Sequence, residues 1–216
     1  MNLISKIKNM VRKLDQYSPW PLFYHFQMSN DEIKVFYKQI KNSAVYLEFG
    51  MGGSTLFCLK NSSAEIYTVE SSDRWINYMR KYLFIRYHEN KRLVIHYVNI
   101  GITGEWGYPE GDSNSNLFPD YSSSIFNVID GNSIDLVMID GRFRVACTLK
   151  IILECYFNNK LKILIHDFWN RKEYQLVLKY LDVIDRVDSL GVFSIKEDID
   201  LKLVNSDYVA YKFNPA

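Results

Sequence analysis

The chain alternates short, nearly continuous apolar runs with segments whose apolar residues recur every three or four positions. The runs are Ala44 to Phe49, Glu65 to Val69, Leu93 to Val98, Ile134 to Ile139 and Leu161 to Ile165. Each has the length of a strand and lacks the in–out alternation of a half-exposed one. That pattern predicts parallel strands covered by helices on both faces. Between them, Ser29-Asn30-Asp31-Glu32 reads as a capping box that opens a helix through about Ile40. A second helix is expected from near Ser72, with Trp75, Met79 and Leu83 on one face. Val145 to Phe157 supplies the crossover helix between the fourth and fifth runs, and another helix is expected over Glu173 to Leu181. Val183 to Phe213 is left for closing antiparallel strands.

The first run passes straight into Gly50-Met51-Gly52-Gly53-Ser54-Thr55, and the second ends in Glu70, twenty positions after Gly50. A strand, a glycine turn, a helix and an acid at the tip of the next strand form the nucleoside-binding unit of an open α/β sheet. Glycines admit a ligand close to the backbone, and a carboxylate accepts hydrogen bonds from two ribose hydroxyls. A dinucleotide fingerprint requires a third glycine where Thr55 stands.

Glu48-Phe49-Gly50-Met51-Gly52 instead resembles the first motif of class I S-adenosylmethionine-dependent methyltransferases. Together, Thr103-Gly104-Glu105-Trp106-Gly107-Tyr108-Pro109, Asp140-Gly141-Arg142-Phe143-Arg144 and His166-Asp167 are also similar to uncharacterised bacterial methyltransferase-like proteins. The resemblance spans roughly Ala44 to Arg171. It implies a Rossmann-like, doubly wound, mostly parallel seven-stranded sheet in residues 44–216, preceded by a helical cap segment, 1–43. It also implies S-adenosylmethionine as cofactor. Glu48 would then orient the glycine loop or the methionine amino group. Gly50, Gly52, Gly53 and Ser54 would run beneath the methionine and ribose, Glu70 and Ser71 would hold the ribose, and Asn99 would face the adenine.

Ligands of such sheets bind beyond the carboxyl ends of the strands. Two polar clusters fall there, Asp140-Gly141-Arg142-Phe143-Arg144 and His166-Asp167-Phe168-Trp169-Asn170-Arg171. Asp140 and Asp167 partly resemble the magnesium acids of metal-dependent O-methyltransferases, so Mg²⁺ on that pair is one expectation. Phe168 breaks the acid pair, and His166 is a poor magnesium ligand. His166 is therefore read as a general base. Asp140, His166, Asp167 and Arg142 form the expected catalytic set. The structural alternatives are helix capping for Asp140 and a buried, backbone-satisfied His166. Arg142, Arg144 and Arg171 could hold an anionic acceptor; Arg144 could equally face solvent beside Glu154. The long connection 101–121, with Trp106 and Tyr108, is expected to cap a nucleoside or sugar.

Composition narrows the partners. A net charge of +1 gives no general attraction to nucleic acid, which is expected not to be the acceptor. The expected acceptor is a small molecule or glycan precursor, methylated on oxygen. The alternative is a non-catalytic methyltransferase-like domain that scaffolds surface-polysaccharide assembly. Cys58, Cys147 and Cys155 have no metal-type spacing, so a reducing cytoplasm is expected. Leu3, Ile7, Met10 and Leu14 lie among Lys6, Lys8, Arg12 and Lys13. Residues 3–14 thus read either as a helix packed on the domain or as a peripheral membrane contact.

Overall fold

A computed structural model of the chain describes residues 3–216, with the side chains of 3–6 and 8 outside the description. Five parallel strands carry the sheet: β1 (Val45–Phe49), β2 (Glu65–Glu70), β3 (Leu93–Tyr97), β4 (Leu136–Ile139) and β5 (Lys162–Ile165). An antiparallel hairpin, β6 (Leu181–Val187) and β7 (Leu190–Ile195), completes it, giving the order β3-β2-β1-β4-β5-β7-β6. The order reverses between β1 and β4, which pair directly. A crevice opens there, because the connections leaving these two strands depart in opposite directions.

The continuous apolar runs are explained by two cores, one on each face. Leu47, Val137, Ile139 and Ile163 point into one, against α6 (Phe118–Ser123), α7 (Arg144–Cys155) and α8 (Leu201–Tyr211). Tyr46, Ile66, Met138 and Leu164 point into the other, against α2 (Asn30–Ile40), α3 (Gly53–Asn61), α4 (Asp73–Met79) and α5 (Leu83–His88). Successive strand residues thus alternate between two dry interiors.

Three expectations are corrected. The helix from Ser72 does not run on to Leu83: α4 stops at Met79 and α5 begins at Leu83. Tyr82 is buried and Leu83 is exposed, with its N–H donating to Gln16 O, so the apolar stripe passes to a different residue. The expected helix at Glu173 to Leu181 is a 3₁₀ segment, Lys172–Lys179, and Leu181 opens β6 opposite Ile195. Its buried residues, Tyr174 and Val177, are three apart, the spacing a 3₁₀ turn aligns. The closing region is a hairpin followed by a helix, since α8 starts behind Asp200, whose side chain accepts the Lys202 N–H. Its buried residues, Val204 and Tyr208, join the same core as α7.

The amino-terminal helix, α1 (Leu3–Asp15), has Ile7, Met10 and Leu14 exposed. Among the described residues no helix is long and apolar enough to cross a membrane. Capping of α2 follows the sequence: Glu32 N–H donates to Ser29 Oγ, and Ser29 N–H donates to Glu32 Oε2.

Candidate active site

The crevice is a cleft of about 1240 Å³ at the carboxyl tips of β1, β2, β4 and β5. Its floor begins at the glycine turn. Gly50 has φ +102, and a Cβ there would lie 2.8 Å from the Gly141 backbone, so the turns after β1 and β4 touch only because neither carries a side chain. Gly53 meets a different constraint: a Cβ would lie 2.0 Å from His25 O. The segment before α2 therefore presses against the start of α3, and His25, Phe26, Gln27 and Met28 form one wall of the cleft.

Glu48 is fully buried and does not line the cleft. Its carboxylate accepts from Tyr46 Oη at 3.0 Å, Ser54 Oγ at 2.7 Å and Thr55 Oγ1. It ties the first turn of α3 to β1 and so holds the glycine loop in place. Burial pushes its pKa up to about 7 against those hydrogen bonds.

Glu70 does line the cleft. Oε1 accepts the Ser71 N–H at 2.8 Å and the Ser72 N–H at 2.9 Å, while among the described residues Oε2 accepts only the Met51 N–H, at 3.2 Å. Oε2 keeps capacity for a ligand hydroxyl. Burial again dominates, and the carboxyl titrates at about 7. Gly50, Gly52, Gly53, Ser54 and Ser71 also line the cleft. Asn99 does not: its side chain is exposed, and its Oδ1 accepts the Gly101 N–H, which fixes the turn after β3.

The opposite half is built around Arg144. Phe143 adopts a left-handed conformation, φ 55, which turns the first residue of α7 inward. Arg144 is only 4% exposed. Its Nε donates to Gly141 O at 3.0 Å, and Nη2 donates to Asp140 O and Oδ1, both at 3.1 Å. Nη1 reaches His166 O and Asp167 Oδ2, the latter at 3.4 Å. The solvent-facing alternative for Arg144 is thereby excluded; Glu154 pairs with Lys150. Nor does Asp140 cap α7, whose N-cap position is Phe143.

His166 Nδ1 lies 3.0 Å from Asp140 Oδ1 and 3.8 Å from Asp167 Oδ1, and Nε2 lies 3.6 Å from Glu32 Oε2. Burial lowers the imidazole pKa, but the bond to Asp140 and the charges of Asp140, Asp167 and Glu32 more than offset it, leaving it raised. For Asp140, burial acts upward and is outweighed by His166 and Arg144, leaving the carboxyl below its ordinary range. With both ring nitrogens facing carboxylates, the imidazolium form is favoured. A general base needs a free nitrogen toward the acceptor, so His166 does not suit that role here.

One ligand atom each from Asp140, His166 and Asp167 can lie within 4.8 Å of one another. The set does not fit magnesium. An imidazole fills one position, and the Arg144 guanidinium is already paired with both acids.

Sequence reasoning missed three contributors. Glu32 reads in the sequence only as a cap, yet its Oε1 also accepts from Ser189 N–H, Ser189 Oγ and Leu190 N–H, which joins α2 to the β6–β7 turn, and its Oε2 lies 3.6 Å from His166. The 25–28 wall carried no periodic signal. Tyr121 lines the cleft and accepts the Arg142 N–H at 3.4 Å; the aromatic, buried end of the 101–121 segment was its one trace. Trp106, 77% exposed with φ 58, and Tyr108 stand on the cleft's rim.

This sheet order, with its antiparallel last pair and its glycine turn beside β4, is the fold of class I S-adenosylmethionine-dependent methyltransferases. Among solved structures, a methyltransferase-like protein from Silicibacter pomeroyi DSS-3 matches at 24% identity and a TM-score of 0.75, over 89% of this chain and 98% of that one. Cofactor-bound Rv0187 from MTB matches at 12% identity and a TM-score of 0.56, over 92% of each chain. An RNA methyltransferase from Salinibacter ruber in complex with S-adenosyl-L-homocysteine reaches 14% identity and a TM-score of 0.45, over 81% of this chain and 99% of that one. That likeness is too low to bear on the acceptor. No family model matches the chain, and no curated protein matches it.

Proposed function

We propose that the protein is an S-adenosylmethionine-dependent methyltransferase acting on a hydroxyl of a small molecule or glycan precursor. The observation that carries this reading is the Glu70 carboxylate. It is held in the cleft by three backbone N–H groups and has an oxygen left for a ribose hydroxyl. The glycine turn beneath it leaves room for a nucleoside to lie against backbone. The cofactor supplies an electrophilic methyl group; the chain supplies placement and proton acceptance, and alignment of the two reactants is the larger contribution.

Asp140 is the proton acceptor in this reading. Oδ1 is bonded by His166 and Arg144, whereas Oδ2 makes no hydrogen bond among the described residues. A hydroxyl becomes strongly acidic as its oxygen gains a bond to the methyl carbon. A carboxylate of low pKa therefore suffices, provided it is already in contact. His166 and Arg144 hold Asp140 in place, and no metal is required. Small molecules and glycans are favoured as acceptors because Trp106 and Tyr108 on the rim offer apolar faces to a ring.

The test is calorimetry with S-adenosylmethionine and S-adenosylhomocysteine, followed by transfer of labelled methyl to a panel of hydroxyl acceptors. Both nucleosides should bind. Absence of binding by either at millimolar concentration overturns the reading.

A further inference from the structure

Arg142 and Arg144 are two residues apart and are treated in opposite ways. Every guanidinium nitrogen of Arg144 is bonded to the protein. Arg142 is half-buried, lines the cleft, and has its Nε buried with no hydrogen-bond partner. Among the described residues its guanidinium forms no ion pair, unlike Arg80, Arg144 and Arg171. Glu70 and Asp140 both feel its charge, but neither bonds it. The Tyr108 ring lies 5.6 Å from its guanidinium carbon and covers it from the 101–121 segment.

A guanidinium remains charged at any pH the fold survives, and burying one without a counter-charge is costly. An internal carboxylate would relieve that cost, as Asp140 and Asp167 do for Arg144. None does so here, while the cleft beside it can admit a ligand. The planar fork of donors suits a two-oxygen anion.

We infer that Arg142 is the receptor for a carboxylate or phosphate group on a ligand bound in the cleft, roofed by Tyr108. The inference rests on the cleft being the S-adenosylmethionine site. The anion then has two sources: the amino-acid end of the cofactor, or an acidic group on the acceptor.

The experiment measures binding of S-adenosylhomocysteine, 5′-methylthioadenosine (which lacks the amino-acid end) and inorganic phosphate to the parent protein, Arg142→Gln and Arg142→Lys. Thermal melting of each variant confirms folding, and Arg142→Lys, which keeps the charge, should show the smaller loss. Loss of a charge-assisted pair corresponds to roughly ten- to hundred-fold in affinity. If Arg142→Gln weakens S-adenosylhomocysteine by about that factor and leaves 5′-methylthioadenosine unchanged, the anion belongs to the cofactor. If both nucleosides are unchanged while phosphate binds the S-adenosylhomocysteine-saturated parent and not the variant, the anion belongs to the acceptor. Unchanged binding of all three probes overturns the inference. If neither nucleoside binds the parent, the methyltransferase reading fails by itself. Phosphate binding that Arg142→Gln abolishes would still uphold the receptor, and its absence would remove both.

Discussion

At the tips of β1 and β2, the acids Glu48 and Glu70 are surrounded by neutral donors, hydroxyls and backbone N–H groups, and titrate at about 7. At the tips of β4 and β5, Asp140 sits against a guanidinium and an imidazole and is held ionised. Both pairs lie on or under one cleft. The first half is thus suited to a neutral, hydroxyl-bearing ligand whose hydrogen bonds draw charge onto Glu70 when they form. The second carries its charges in advance, as a site that must accept a proton or orient a dipole requires. Burial alone does not decide the ionisation state of a carboxylate; the charge of its donors does.

The largest effect should come from removing the charge that organises the second half. Arg144→Met would leave Asp140 and Asp167 with the His166 imidazole alone for compensation and free three backbone carbonyls. Unfolding by urea should register a loss of about 3–5 kcal/mol, the usual cost of orphaning a buried pair. A loss below about 1 kcal/mol would mean that the network behaves like a surface one.

In the first half, Glu70→Ala should weaken S-adenosylhomocysteine by about 1.5–3 kcal/mol in calorimetry, through lost charged hydrogen bonds. Undiminished affinity would mean that the nucleoside does not lie against Glu70. The pH dependence sharpens the same point. In the free protein Glu70 is protonated below about 7, against an ordinary value of 4.5. Its raised pKa favours the free fold most below 4.5, and this contribution is lost as pH rises through about 7. A ligand that bonds the ionised form should therefore lose affinity below that pH, by up to about ten-fold per unit. Glu70→Gln should flatten the profile. A parent profile already flat between pH 5 and 8, measured as affinity at roughly unit intervals, would contradict the assignment.

The smallest effect concerns the link between α2 and the second half. Glu32→Gln removes one of the three carboxylates that face His166 and should lower the imidazole pKa, followed by NMR titration. Because a raised histidine pKa stabilises the fold below 6.5 and is lost as pH rises through its folded value, that loss should move to lower pH in the variant. Stability itself should change by about 1 kcal/mol, since the amide can keep part of the Ser189 and Leu190 bonding. An unmoved His166 titration would show that Glu32 serves the hairpin alone.

Legibility follows the same division. Contacts local in sequence could be read: the five parallel strands from unbroken apolar runs, the Ser29–Glu32 capping box, and Glu70 from its distance to Gly50. Contacts set by topology could not. Glu32 reaches Ser189 across 157 positions, and no pattern along the chain encodes such a meeting. Arg144 was ambiguous because an arginine in the first turn of a helix can face either way until Phe143 fixes the entry angle. That Asn99 Oδ1 would fix its own turn through Gly101, away from the cleft lining, likewise depended on the path of the chain after β3. The last helix, by contrast, was available in the sequence: Asp200 before Leu201, Val204 and Tyr208 is a cap followed by helical spacing.

The contact between Gly53 and His25 has a consequence for how the ligand preference of the cleft could be retuned. The spacing between the 25–28 wall and α3 is set by backbone against backbone, with no side chain acting as spacer. Substitutions at the exposed His25 or Gln27 would therefore change the chemistry presented to a bound ligand while the backbone spacing stays the same, whereas Met28 also packs against the core. A library restricted to positions 25 and 27 would vary selectivity on a fixed frame, whereas any residue larger than glycine at 53 would move the frame itself.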